Sequence, residues 1–259
     1  MKRVKLVVAY DGTNYKGWQV QKNGMTVAER LNRALKDLTG EEIQVHGASR
    51  TDAGVHAMGN VAVFDTEARM AADKFVFALN QRLPEDICVQ DSCEVPMDFH
   101  PRFQKTVKTY EYRILNRKFP LPAYRLNTYF YYYPLDVEKM RKAAAYLVGE
   151  HDFSSFCAAG AQVKTTVRTV YSLEVLQDGA LITIRITGNG FLYNMVRIIA
   201  GTLIRVGSGQ WEPEQIPRIL EARNRAEAGP TAPAKGLTLM EIRYPEAEGN
   251  QAETRENNA

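Results

Sequence analysis

The stretch Gly47-Ala-Ser-Arg-Thr-Asp-Ala-Gly-Val-His56 decides how the first part of the chain folds. It links two short apolar segments, residues 43–46 and 60–64, whose patterns predict strands. Its small residues let a bulky substrate approach the backbone. Arg50 and Asp52 are two positions apart, so on an extended segment they would share a face, where the arginine would keep the carboxylate ionised. An ionised carboxylate can act as a nucleophile, but the same residues would also suit a polar hairpin whose Asp and Thr accept turn hydrogen bonds.

On either side of this loop the chain alternates between strand and helix patterns. A strand over residues 4–10 ends at Asp11-Gly12, and a helix begins at the capping box Thr26-x-x-Glu29 and stops at Gly40. Further helices are predicted over residues 71–83, 137–148, 191–206 and 213–224, and further strands over 87–90, 105–115, 129–133, 169–176, 181–187 and 237–244. This order predicts an α+β fold of two related halves, residues 1–104 and 105–247, with mostly antiparallel strands and helices packed on the sheet.

Composition places the chain among ordinary globular proteins and excludes several kinds of site. Of its 259 residues, 45% are hydrophobic and 24% charged, with a formal net charge of +3. The three cysteines and four histidines show neither a disulfide pattern nor metal-ligand spacing. There is no Walker A, dinucleotide or serine-hydrolase motif. We find no targeting or membrane-spanning pattern and expect a cytoplasmic protein. The acidic tail, residues 248–259, is expected to be disordered.

Residues 102–125 are the best compositional indication of an RNA partner. Seven basic residues, among them Lys105 and Lys108, stand there against one acidic residue, interleaved with five aromatic residues that include Phe103 and Tyr110. Basic side chains bind phosphates, and aromatic rings stack on unpaired bases. A sheet edge protected by lysines, with its tyrosines in the core, would show the same pattern.

Arg197 is unusual because it stands on an otherwise apolar helical segment. Its long side chain would either reach the surface or pair with a buried carboxylate.

Several motifs together resemble one family. Ser49-Arg-Thr-Asp-Ala-Gly-Val-His-Ala57 resembles the catalytic loop of the tRNA pseudouridine synthase A (TruA) family, and Tyr10-Asp-Gly-Thr-Asn-Tyr-Lys-Gly-Trp-Gln19 resembles its opening strand and loop. Other matching segments follow in the family's order: Leu79-Asn-Gln-Arg-Leu-Pro84, Phe99-His-Pro-Arg-Phe103, Lys108-Thr-Tyr-Glu-Tyr112, Gly149-Glu-His-Asp-Phe-Ser-Ser-Phe156, Met195-Val-Arg197 and Lys235-Gly-Leu237. The resemblance runs from about Val4 to Tyr244, and the ordered set is far more specific than any single motif.

The resemblance implies a pseudouridine synthase fold, with two related halves sharing a central sheet and an active cleft between them. It implies a homodimer that isomerises uridines at positions 38 to 40 of the tRNA anticodon stem-loop. Every product atom comes from the substrate uridine, so no cofactor or metal is expected. The implied roles are nucleophile for Asp52, base stacking and proton transfer for Tyr110, support of the flipped-out nucleotide for Arg50, basic partner of the aspartate for Arg197, and apolar wall under the uracil for Leu237. His56, Lys105 and Lys108 are further candidate substrate-binding residues.

Two other functions remain open at this point. A non-catalytic RNA-binding protein could use the same basic and aromatic surface. A metabolic enzyme could use Asp52 as a general base toward a small molecule.

Overall fold

The computed structural model describes residues 1–160 and 163–245. These residues form a mixed α/β protein of two compact units. Unit 1 comprises Met1–Val107 and the described chain from Leu239 onward, and unit 2 comprises Lys108–Thr238. The sequence-based halves assign the closing strand to the second half instead. The expected disordered tail, residues 248–259, lies outside the described residues.

The sheet of unit 1 is built around its first strand. β1 (Lys2–Tyr10) pairs antiparallel with both β3 (His56–Thr66) and β4 (Ile87–Val95). The strand order is β4-β1-β3-β10, where β10 is Leu237–Arg243, and β2 (His46–Gly47) pairs antiparallel with β3. Alternate residues of β1 are buried, as expected for a strand with one face on a core.

The main helix of unit 1 follows the sequence prediction closely. α1 (Val27–Thr39) begins after Thr26, whose hydroxyl accepts a hydrogen bond from the Glu29 N–H at 3.3 Å. It ends at Gly40, which has a φ of 77°. The helix predicted over residues 71–83 is wrong in length, because residues 72–74 form a 3₁₀ turn and α2 covers only Phe75–Asn80. The Asn80 side chain bonds both backbone groups of Val89, which fixes the end of α2 against β4.

Removing the cap of α1 should cost stability. We expect Thr26→Ala to lower the free energy of unfolding by about 1 kcal/mol, since the Glu29 N–H loses its partner. Thr26→Ser keeps the oxygen and should stay close to wild type. Urea unfolding of both variants measures the difference, and equal stability of the two would contradict a capping role.

The strands of unit 2 pair mostly antiparallel. β5 (Val107–Asn116) pairs with β9 (Leu181–Gly188), which forms the predicted hairpin with β8 (Val167–Asp178). β7 (Gly149–Asp152) completes the order β5-β9-β8-β7, and β6 (Tyr129–Tyr131) pairs with β5 in parallel. The strand predicted over residues 129–133 thus ends two residues early.

The described residues of unit 2 include three α-helices: α3 (Val137–Ala145), α4 (Met195–Gly207) and α5 (Gln215–Ala222). The prediction that α4 begins at residue 191 is wrong by four positions. Asn194 has a φ of 60°, a left-handed conformation that cannot continue a right-handed helix. Gly201 of α4 packs against the chain at Pro230, because a Cβ there would lie 1.8 Å from the Pro230 carbonyl oxygen. Among the described residues no helix has the length and apolar character needed to cross a bilayer.

Candidate active site

The loop of residues 48–55 joins β2 to β3 and holds the candidate nucleophile. Asp52 is half-buried, whereas Arg50 is exposed. The Asp52 carbonyl accepts a hydrogen bond from the Val55 N–H at 3.1 Å, and Gly54 between them has a φ of 77°. A tight turn that needs glycine therefore directly follows Asp52. The loop gives the carboxylate a partly desolvated setting that solvent still reaches.

The chain after β1 clamps this loop on the residues beside Asp52. Tyr10 Oη lies 2.7 Å from Thr51 Oγ1, and the Trp18 N–H donates to the Thr51 carbonyl at 3.1 Å. On the other side, the Gly54 N–H donates to the Tyr15 carbonyl at 3.3 Å. Residues 51 and 54 are thus both tied to residues 10–18, which fixes the backbone at Asp52.

Asn60 of β3 supports the start of the same loop. Its side-chain oxygen accepts from the Ser49 N–H at 3.3 Å, and its Nδ2 donates to the Ser49 carbonyl at 3.1 Å. Asn60 is fully buried. A buried amide that bonds both backbone groups of one residue holds that residue in a single conformation.

Two glycines allow the clamp to approach the loop. A Cβ on Gly12 would lie 2.0 Å from the Val55 carbonyl oxygen, and a Cβ on Gly47 would lie 2.2 Å from Trp18 Nε1. Only a residue without a side chain fits at either position. Sequence reasoning missed this clamp. The signal that could have found it is the presence of two glycines, Gly12 and Gly17, in the segment that leads to the buried Trp18, since a Cβ on Gly17 would lie 2.5 Å from the Thr51 carbonyl oxygen.

We expect Gly12→Ala to displace the loop. The added methyl meets backbone, which cannot move aside as a flexible side chain can, so the free energy of unfolding should fall by roughly 1–3 kcal/mol. Any reaction that depends on Asp52 should also run at least about ten-fold more slowly, since small misplacement of reacting groups is costly. Gly40→Asn is the control, because no atom lies within 4 Å of a Cβ there and Asn tolerates a positive φ. Wild-type unfolding and turnover for Gly12→Ala would contradict the close approach.

His56 is buried at the start of β3 and faces the turn that ends β1. Its Nδ1 accepts a hydrogen bond from the Gly12 N–H at 3.1 Å and lies 3.1 Å from Asp11 Oδ1. Burial by itself would raise the pKa of Asp11, but hydrogen bonds from Thr13 and the nearby His56 lower this pKa overall. The placement suits a residue that positions the loop through Gly12.

A group of basic residues stands next to the loop in unit 1. Arg102 donates from Nη2 to the Gly47 carbonyl at 2.9 Å, at the point where the chain enters the loop. Desolvation lowers the pKa of Arg102, and the positive charge of Arg50 lowers it further. The two guanidinium groups are therefore close enough to repel each other. Lys105 follows on the exposed chain.

In unit 2, β5 carries Lys108 and Tyr110. The Tyr110 side chain is buried, and its ring meets Phe191 edge to face at a centroid distance of 5.3 Å. Tyr112 is also buried, which confirms that these two tyrosines share a face of the strand. Lys108 is half-buried and stands opposite Gly188 of β9.

Arg197 is half-buried in the first turn of α4 and holds the chain that leads to Leu237. Its Nε donates to the Ala232 carbonyl at 2.8 Å, and its Nη1 donates to Asn194 Oδ1 at 2.8 Å. The Ala232 N–H donates back to the Arg197 carbonyl at 3.1 Å. This arginine therefore belongs to a network that fixes the approach to β10.

Tyr112 supports the same stretch from β5. Its hydroxyl donates to the Pro233 carbonyl at 2.9 Å, and a Cβ on Gly236 would lie 2.7 Å from its ring. Burial and the neighbouring Tyr129 raise the pKa of Tyr112, against the opposing charge of Arg197. Leu237, next along the chain, is buried. Unit 2 thus brings Arg197 and the segment before Leu237 together. In unit 1, Arg50 and Asp52 share one loop, and His56 directly follows it at the start of β3.

Comparison with known proteins identifies the class to which this fold and loop belong. A family described as tRNA pseudouridine synthase matches residues 6–104 and 143–245, so the chain belongs to that family. The matched residues include the loop with Asp52, as well as Arg197 and Leu237. Tyr110, Lys105 and Lys108 lie between the two matched stretches. This family match confirms the pseudouridine synthase fold that the resemblance implies.

Relatives called tRNA pseudouridine synthase A are similar over almost the whole chain. The protein of that name from Acetivibrio thermocellus is 50% identical over 244 residues, which are 94% of this chain and 100% of the relative. The one from Brevibacillus brevis is 50% identical over 246 residues, again 94% of this chain and 100% of the relative. The resemblance to this family is therefore confirmed.

Two solved structures are similar at a much lower level. One is an archaeal box H/ACA sRNP Nop10-Cbf5 complex, with a TM-score of 0.32, 13% identity, and 92% of this chain covered. The other is a Cbf5-Nop10-Gar1 complex, with a TM-score of 0.33, 14% identity and the same coverage. The chain spans 46% and 47% of the length of the chains it matches in these structures.

Proposed function

We propose that this protein isomerises uridine to pseudouridine in tRNA, with Asp52 as the nucleophile. The observation that carries the proposal is the loop itself. Asp52 is half-buried in a loop clamped at Thr51 and Gly54 by residues 10–18, inside a chain of the tRNA pseudouridine synthase family. A carboxylate on a fixed backbone, next to an arginine and small residues, suits attack on a bulky substrate.

The reaction that we propose needs only protein groups and the substrate. The target uridine leaves its stack, at a cost of a few kcal/mol that basic contacts and base stacking offset. Asp52 attacks either the sugar C1′ or the pyrimidine ring, the glycosidic bond breaks, and the base turns. C5 then bonds to C1′, Asp52 is released, and loss of the C5 proton gives the product.

The other roles that we propose follow the family resemblance. Tyr110 stacks on the target base and takes part in the final proton transfer, and Leu237 packs under the uracil. Arg50 supports the flipped-out nucleotide, whereas Arg197 stabilises the negative charge of the nucleophile. His56 acts through the Gly12 turn, and Lys105 and Lys108 bind tRNA phosphates, the usual partners of lysine in RNA-binding proteins.

We further propose the uridines at positions 38 to 40 of the anticodon stem-loop as targets. The same resemblance suggests a homodimer that binds tRNA across both subunits, acting in the cytoplasm. Size-exclusion chromatography with light scattering tests the dimer, and mapping pseudouridine in reacted tRNA tests the positions.

Release of tritium from C5-labelled uridine tests the reaction directly. Unmodified tRNA is incubated with the protein in the presence of a chelator, and we expect one tritium released for each pseudouridine formed. A non-catalytic RNA-binding protein would bind the tRNA and release nothing. Absence of release from every unmodified tRNA tried would defeat the proposal.

A further inference from the structure

An exposed aromatic pair stands beside the candidate catalytic loop, in the turn of residues 99–103. The Phe103 side chain is 81% exposed, and its ring stacks on that of His100 at a centroid distance of 4.1 Å and an interplanar angle of 19°. We call this pair the His100–Phe103 stack. A single exposed phenylalanine needs no explanation, so the case depends on how the turn is held and what surrounds it.

Four contacts anchor the turn below the stack. The His100 Nδ1 accepts from the Arg102 N–H at 3.2 Å, and the Pro101 carbonyl accepts from the Tyr244 hydroxyl at 2.8 Å. Phe99 meets the Tyr244 ring edge to face, and its carbonyl accepts from Arg3 Nη1 at 3.0 Å. Phe103 is therefore presented on a fixed base, so that a ligand stacking on it orders few new side chains.

The surroundings of the stack are strongly basic. Arg102 donates a hydrogen bond to the Gly47 carbonyl, and the positive charge of Arg50 lowers the pKa of its guanidinium group. The ring centroid of His46 lies 6.5 Å from that of His100. Two acidic residues are also near. Asp65 is engaged with Arg3 through hydrogen bonds of 2.7 and 2.8 Å, and the charge of Asp98 acts on the same arginine. Burial lowers the pKa of His100, as do the charges of Arg102 and His46, which leaves its ring neutral near pH 7.

A flat exposed ring among guanidinium groups is complementary to a nucleotide, which has a flat base and an anionic phosphate. We propose that the outer face of Phe103 stacks on an unpaired nucleobase of the tRNA while Arg102 and Arg50 hold the adjoining phosphates. This site rests on the proposed function and adds a second nucleotide contact to it. Arg102 also donates a hydrogen bond to the Gly47 carbonyl. A nucleotide bound at Phe103 and Arg102 would therefore stabilise the backbone at the start of the loop that holds Asp52.

Binding of unmodified tRNA to Phe103 variants tests the site. All variants carry Asp52→Asn as well, so that no product forms during the titration. We expect Phe103→Ala to weaken binding by roughly 5- to 150-fold, the range that base stacking on an aromatic ring represents. Phe103→Trp should bind at least as tightly as the parent. Phe77→Ala, at a 65% exposed phenylalanine of α2 in the same unit, should leave the affinity unchanged.

Two further readouts separate stacking from a structural or electrostatic effect. Phe103→Ala should lower affinity equally at all salt concentrations, whereas Lys105→Gln should reduce the slope of log Kd against log salt by about 0.7–0.9. In Phe103→Trp, tRNA should quench the fluorescence of the new indole beyond the change seen with the parent, which has two tryptophans of its own.

Equal affinity of Phe103→Ala and Phe77→Ala, or no added quenching in Phe103→Trp, overturns the stacking site. A change of oligomeric state in Phe103→Ala at unaltered affinity does so too, because it would make the residue a protein contact. These results are independent of the proposed reaction, which fails only if the wild-type protein releases no tritium from tRNA. The affinity test can therefore exclude the stacking site while tritium release supports the reaction. Likewise, tritium release can exclude the reaction while the affinity test supports the stacking site.

Discussion

Asp52→Asn should abolish pseudouridine formation and leave tRNA binding intact. Asparagine has nearly the same shape as aspartate, so the loop clamped at Thr51 and Gly54 should keep its conformation. The amide has no anionic oxygen with which to attack the sugar or the base. We expect turnover to fall by about 10⁴-fold or more, the scale found when an enzyme loses its nucleophile. Tritium release under single-turnover conditions measures the rate, and equilibrium titration measures the affinity.

The matched control is Asp91→Asn, which removes one negative charge from an exposed position of β4. Its turnover and affinity should stay within about two-fold of wild type, because surface changes away from a site have small effects. Turnover of Asp52→Asn above about one hundredth of the wild-type rate would remove Asp52 from the role of nucleophile. Normal turnover combined with lost binding would instead indicate a role in RNA recognition.

The parts of the fold that depend on local signals were predictable from the sequence. α1 has its capping residue, apolar spacing and C-terminal glycine within fifteen consecutive positions, from Thr26 to Gly40, and the structure reproduces both ends. The hairpin of β8 and β9 was equally clear, because alternating strands flank the turn pair Asp178-Gly179. In each case the residues that determine the element lie within it or directly beside it.

The parts that depend on distant residues were not predictable. The apolar pattern of α4 extends back to Phe191, yet the helix starts at Met195 because Asn194 is left-handed. The packing of Gly201 on the Pro230 carbonyl also joins segments far apart in sequence. No local pattern carries that information, since periodicity reports only which face of an element is apolar.

The candidate site shows the same division. The sequence singled out Asp52 because the residues of its loop suit attack by an ionised carboxylate, and the resemblance to the family supplied its role as nucleophile. The sequence did not show that Tyr10, Tyr15 and Trp18 hold the loop, since those bonds join positions about 33 to 41 residues apart and mostly use backbone groups. Backbone partners leave little trace in residue type, so only the structure reveals them.

Tyr110→Phe should slow the chemical step while binding persists. The phenyl ring keeps the face proposed to stack on the base and the edge contact with Phe191, so tRNA affinity should change by no more than about two-fold. Only the hydroxyl is lost. If it transfers the C5 proton, the single-turnover rate should fall by roughly 10²- to 10⁴-fold, the usual contribution of a positioned acid or base.

An isotope effect separates this role from mere positioning. When the proton-transfer group is absent, loss of the C5 hydrogen becomes the slowest step, so C5-deuterated uridine should react more slowly than normal uridine by a larger factor in Tyr110→Phe than in wild type. Tyr171→Phe, at an exposed tyrosine of β8 in the same unit, controls for loss of a phenol and should match wild type. An unchanged rate in Tyr110→Phe would exclude its hydroxyl from proton transfer and leave the ring with stacking alone. A slower rate with an unchanged isotope effect would place the hydroxyl earlier, in holding the base for attack by Asp52.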